Sequence, residues 1–190
     1  MTQKWIEQLD DLTIKFNDEF EGLSNPELNW KPDDDTWSIG QVIDHVIVVA
    51  QSYESTFREL EAGTYKAPFI ARIGFLVNMM GKTILGGSGP NRKRKIRTFQ
   101  VWEPSQSDIW EDIWARFDKS QLQLQEWIGG CGDLVGQGIV ISSPANRKIV
   151  YKLETAFDII VAHEHRHLEQ TREVLSLMNS HQDPPQVPTG

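Results

Sequence analysis

A chain of 190 residues, 39% hydrophobic and 24% charged, can bury one full core and has the composition of an ordinary single globular domain. A formal net charge of -8 disfavours nucleic acid as partner, since phosphate binding needs a basic surface, and the single cysteine, Cys131, excludes an internal disulfide framework and fits a reducing cytoplasm. No stretch reaches about 18 apolar residues and residues 1–12 lack a signal-peptide h-region, so the expectation is a cytoplasmic protein with no membrane partner.

In chain order, residues 3–22 predict helix one. Trp5, Leu9, Leu12, Phe16, Phe20 and Leu23 recur at steps of three and four with charges between them. Residues 24–27, Ser-Asn-Pro-Glu, read as a turn with capping-box chemistry, and Pro32 with three aspartates marks a loop. Ser38 followed by Gln41 is a second capping box, so helix two starts at Ser38 and is expected to run to Glu61, with Gly63 just past its end. Val42, Val46, Val49, Tyr53 and Phe57 trace its apolar stripe. His45, three after Val42 and four before Val49, points inward with them. Taken alone, a hydrogen-bonded core histidine accounts for it.

Residues 64–104 have no sustained period. Within them, 69–85 predict a short amphipathic helix packed across the bundle end or against a second subunit. Arg72, Asn78 and Lys82 interrupt it and argue against a membrane-surface role. Gly86, Gly87, Gly89 and Pro90 are expected to break it. They do not form a phosphate loop, because no strand precedes them and no Lys-Ser/Thr closes them. The basic run Arg92, Lys93, Arg94, Lys95 and Arg97 reads as solvated surface.

Helix three is expected to start at Ser105 or Ser107 and end near Ile128, with Trp110, Ile113, Trp114, Phe117, Leu124 and Trp127 on its core face. Residues 139–141 and 148–151 flank Ser-Pro-Ala-Asn-Arg and suggest a small hairpin. Helix four is expected over 153–179, with Ala156, Ile160, His163, His167, Val174 and Met178 on its stripe and Gln170 or Thr171 continuing it. Residues 1–179 thus form one helical domain, and 180–190 a flexible proline-rich tail that takes His181 out of play.

Four long amphipathic segments predict an all-α fold, a four-helix bundle with a short extra helix and a small hairpin in its connections. Bundle sites are built from side chains on facing helices. His163 and His167, spaced i, i+4, share a helix face, whereas His165 is rotated by roughly 200°. If helices two and four are neighbours, His45 joins the pair. Three histidines with an open fourth position are the donor set of a catalytic metal site, suited to zinc, nickel, iron or copper. Gln41 and Gln170, one turn from His45 and His167, are candidates to orient a ligand or contact substrate. Residues 163–167 also fit H-E-x-x-H, with Glu164 as general base. The downstream third ligand of that metalloprotease pattern is missing, since Gln170 and Glu173 stand where Gly and His belong. A di-iron carboxylate site fails for want of a second Glu-x-x-His.

WSIGQVIDHV, ending just past His45, with the preceding LNWKPDDD and the later HEHRHLEQ, resembles the paired signatures of the DinB/YfiT-like family of metal-binding bundles. The resemblance implies an up-down-down-up bundle, a divalent metal on His45, His163 and His167, and a homodimer. It implies, as function, a metal-dependent hydrolase or a thiol-dependent transferase that uses a low-molecular-weight thiol on a small electrophilic substrate. In either, Glu164 is the candidate general base, although about 100° off the ligand face it would serve equally to orient a ligand or face solvent. The alternative is a metal-binding or dimerisation protein without catalysis.

Overall fold

The structure is a computed structural model and describes residues 1–89, 98–105, 108–109 and 112–182. The basic run at 92–97, Ser107, Trp110 and residues 183–190 lie outside the described residues. Helix α1 (Gln3–Phe20) buries Trp5, Leu9, Leu12, Phe16 and Phe20, the positions its sequence period selects. The short α2 (Asn25–Asn29) starts at the Ser24–Glu27 capping box. Ser38 caps α3 (Ile39–Ser52), where Ser38 N donates to Gln41 Oε1 and Gln41 N donates to Ser38 Oγ.

The second bundle helix is not continuous to Glu61. It divides at Tyr53 into α3 and α4 (Glu54–Glu61). Ser52 Oγ donates back to Val49 O, and Tyr53 N donates to Ala50 O, which tightens the last turn of α3. At the division the buried Tyr53 hydroxyl meets that of Tyr151 at 2.8 Å.

After a 3-10 turn at Phe69–Arg72, α5 (Gly74–Ser88) runs through Gly86 and Gly87 and ends only before Gly89. The expected break at Gly86 is thus displaced by one turn. The helix packs on the hairpin and on the last helix, where the missing Cβ of Gly81 leaves room for Thr155. The third bundle helix, α6 (Ile113–Gly130), begins later than Ser105 or Ser107. The backbone ahead of it is bonded elsewhere: Ser105 to side chains of α3, and Ile109 N and O to the Asn29 side chain. Strands β1 (Val140–Ser143) and β2 (Asn146–Lys152) form the expected hairpin, pairing Ile141 with Tyr151. β2 leads into α7 (Leu153–Gln182), which outlasts the expected end at 179. His181 is therefore helical, its ring edge-on to Trp30.

Side-chain contacts fix the topology. Trp5 meets Asp158 and Phe157 while Glu19 meets Arg172, so α1 and α7 run in the same sense. Asp44 meets Arg116 while Phe57 meets Trp127, so the second and third bundle helices also run together. Asn17 bonds Asp118, and Gly129 lies beside Ile6, so α1 and α6 oppose. This is an up-down-down-up four-helix bundle, and the long crossover through α5 is what allows the middle helices to be parallel. The arrangement lays α3 directly against α7.

Candidate metal centre

The apolar period of α3 turns His45 into the core, where it is 1% exposed. The i, i+4 spacing on α7 places His163 and His167 on the facing surface. Across the seam, His163 Nε2 lies 3.2 Å from His45 Nε2 and 3.1 Å from His167 Nε2. The three residues form one cluster whose ligand atoms lie within 4.8 Å of one another. His165 and His181 are not part of it. The Trp37 ring lies beside the cluster, 5.0 Å from the His45 ring and stacked on His167 at 6.4 Å.

The far nitrogens of two rings are held. His45 Nδ1 lies 2.5 Å from the backbone carbonyl of Trp102. A carbonyl only accepts, so Nδ1 carries the proton and Nε2 presents a lone pair. His167 Nδ1 donates to Gln170 Oε1 at 3.1 Å, with the same result. Burial holds all three imidazoles below their ordinary range: His45 is lowered, His163 falls to about 3 and His167 lies well below normal, the last two helped by the neighbouring rings and Arg166. They are neutral at pH 7. The Nε2 lone pairs of His45 and His167 both face His163 Nε2, which donates to one of them as one tautomer and as the other presents a third lone pair to a shared cation.

The spacing suits one. A tetrahedral ion with bonds of about 2.0–2.1 Å to nitrogen sets its ligand atoms roughly 3.3 Å apart. Three neutral imidazoles, two of them with proton-bearing far nitrogens fixed by acceptors, match the arrangement that metal-ligating histidines adopt.

Two residues singled out in the sequence lie one step away. Gln41 does not reach the rings through its amide, since Oε1 accepts from Ser38 N and Nε2 donates to Ser105 O. Glu164 neither faces solvent nor bonds an imidazole. It is 2% exposed, its Oε1 accepts from Gln121 Nε2 of α6, and its Oε2 has no partner among the described residues. Burial raises its carboxyl to about 8, so it is mainly protonated at neutral pH. Sequence reasoning missed Trp37, Trp102, Gln121 and Asp44. Of these only Asp44 carried a signal, as a charge directly beside an inward histidine.

The profile of the DinB superfamily matches residues 8–171, a span that contains all three histidines, and the chain belongs to that superfamily. No curated protein matches it. Among solved structures it is similar to YfiT from Bacillus subtilis, at 20% identity and a TM-score of 0.58, covering 94% of this chain and 87% of that one. That protein is described as a probable metal-dependent hydrolase with an unusual four-helix bundle topology. The likeness is one of fold.

Proposed function

We propose that this member of the DinB superfamily is a metal-dependent enzyme that adds water or a low-molecular-weight thiol to a small electrophilic substrate. His45, His163 and His167 are its metal ligands. The observation that carries the reading is the approach of two other Nε2 atoms to that of His163, with the Nδ1 protons of His45 and His167 engaged by acceptors. When bound, a divalent ion supplies Lewis acidity that lowers the pKa of a coordinated water or thiol. Zinc fits three imidazoles best, with nickel and iron as competitors.

The chain's own groups orient and shelter that chemistry. Gln170 and the Trp102 carbonyl fix the ring tautomers, and the Trp37 ring lies beside the cluster. Glu164 is assigned to packing against Gln121 rather than to base catalysis, because its Oε1 accepts from Gln121 Nε2 and neither of its oxygens bonds a ring of the cluster. The H-E-x-x-H protease reading also lacks its downstream third ligand, because the third histidine of the cluster, His45, lies upstream on α3.

No helix among the described residues is long and apolar enough to cross a membrane. A second copy of the chain is the expected partner. Phe69, Ile73, Phe75 and Met79 are the exposed apolar side chains that such a homodimer would cover. Changing Phe69 and Phe75 to serine should then lower the mass in solution, and an unchanged mass would remove this face from the dimer.

The reaction is tested by assaying metal-loaded protein with a panel of thiols and small electrophiles, alone and together. Turnover that needs the metal and disappears in His163→Ala supports the reading. Metal-loaded protein whose rates equal those of His163→Ala throughout leaves a metal-binding protein without catalysis.

A further inference from the structure

Segment 102–105, in the crossover between α5 and α6, lies along α3 and is bonded by three of its side chains. His45 Nδ1 donates to Trp102 O at 2.5 Å. Asp44 Oδ2 accepts from Ser105 N at 3.0 Å. Gln41 Nε2 donates to Ser105 O at 3.0 Å. Gln41 and Asp44 are three residues apart, hence neighbours on the helix surface, and together they take both backbone groups of Ser105. Three residues back along the segment, the Trp102 carbonyl meets His45.

Both side chains are themselves fixed. Asp44 is 6% exposed, and its other oxygen accepts from Arg116 Nη2 of α6 at 3.1 Å. Gln41 is held by the Ser38 cap, so its amide has one orientation. Farther along, Asn29 bonds both backbone groups of Ile109, whose side chain rests on Gly40. The residues around His45 in WSIGQVIDHV thus receive the crossover.

We infer that Asp44 and Gln41 are positioning residues for His45: they strap the 102–105 backbone to α3 and so hold the carbonyl that sets the tautomer and ring angle of His45. The inference rests on the metal reading above for its consequence but not for its geometry. Without the strap, Trp102 O moves away, His45 exchanges tautomers, and Nε2 carries a proton for part of the time. An outer acceptor of this kind is typically worth 10–100-fold in metal affinity.

Two variants and two readouts test it. Gln41→Glu keeps the carboxyl-type oxygen that serves the Ser38 cap but replaces the donor to Ser105 O with an acceptor. Asp44→Ala removes the acceptor for Ser105 N. Nitrogen–proton correlation spectra of metal-free protein report the His45 tautomer, with His167 as internal control, and zinc titration reports affinity. The expected result is loss of the pure Nδ1–H state at His45 with His167 unchanged, and zinc affinity lower by about 10–100-fold. If Asp44→Ala does not fold, Gln41→Glu alone decides. An unchanged His45 tautomer together with unchanged zinc affinity overturns the positioning role and leaves the metal site standing. Wild-type protein that takes up no zinc, with the His45 tautomer still lost in the variants, overturns the metal reading and leaves the strap standing.

Discussion

His45 and His163 are 118 residues apart in the chain and 3.2 Å apart at Nε2. The pairing depends on α3 and α7 being antiparallel neighbours, which the up-down-down-up order of the bundle provides. Neither helix alone presents more than two donors, so the centre exists only in the folded bundle, and an ion held there would bridge α3 and α7.

Gln170 should matter to the ion and not to the fold. It is partly exposed near the middle of α7, and its Oε1 accepts from His167 Nδ1. Gln170→Leu keeps helix propensity and removes the acceptor. Zinc affinity should fall by about 10–100-fold with little change in the unfolding midpoint of metal-free protein, both readable by titration and denaturation.

Glu164 should behave as a neutral packing group. Glu164→Gln replaces a protonated carboxyl by an isostere and should shift stability at pH 7 by less than about 1.5 kcal/mol. Glu164→Ala leaves the Gln121 amide without its acceptor and should cost about 1–3 kcal/mol from that group alone. Urea unfolding of the three proteins measures the ordering. A Glu164→Gln loss as large as that of the alanine variant would show that the charged carboxylate is what the fold uses.

Gly40 sits where a Cβ would meet Ile109 Cβ at 2.9 Å. Gly40→Ala gains helix propensity in isolation yet should destabilise by about 1–3 kcal/mol, because the segment ahead of α6 must move off α3. Thermal unfolding checks the sign. A stabilised variant would mean that this contact relaxes freely.

Acid should remove a small stabilisation at the α1–α7 seam. The hydrogen bond from Arg172 holds Glu19 below its ordinary value of 4.5. A depressed folded value means the contribution is present in full above the unfolded value and is lost as pH falls through the folded one. The pair is about a third exposed, so it is worth no more than about 1 kcal/mol. Glu19→Gln should therefore be less stable than wild type at neutral pH and converge with it as pH falls through the lowered folded value, as read by denaturant midpoints.

The sequence made the helical stripes legible because burial on one face imposes a period of three to four, and Leu9, Phe16, Val46 and Phe117 obey it. His45 was legible for the same reason, being in phase with Val42 and Val49. The start of α6 was not. The segment around Ser105 and Ile109 satisfies its backbone through Gln41, Asp44 and Asn29, partners 61 to 80 residues away, and long-range bonds leave no local period. Glu164 was legible as being off the ligand face but not as buried, since its partner Gln121 lies on another helix. The division at Tyr53 was hidden because Tyr53 keeps helical dihedrals and one apolar stripe runs through both halves.

The claim that three histidines from two helices hold one ion is tested most directly by metal content. Protein purified without an affinity tag should contain about one equivalent of a divalent transition metal, and His45→Ala, His163→Ala and His167→Ala should each lose most of it while remaining folded. Less than about half an equivalent in the wild type, unchanged in all three variants, would contradict the account.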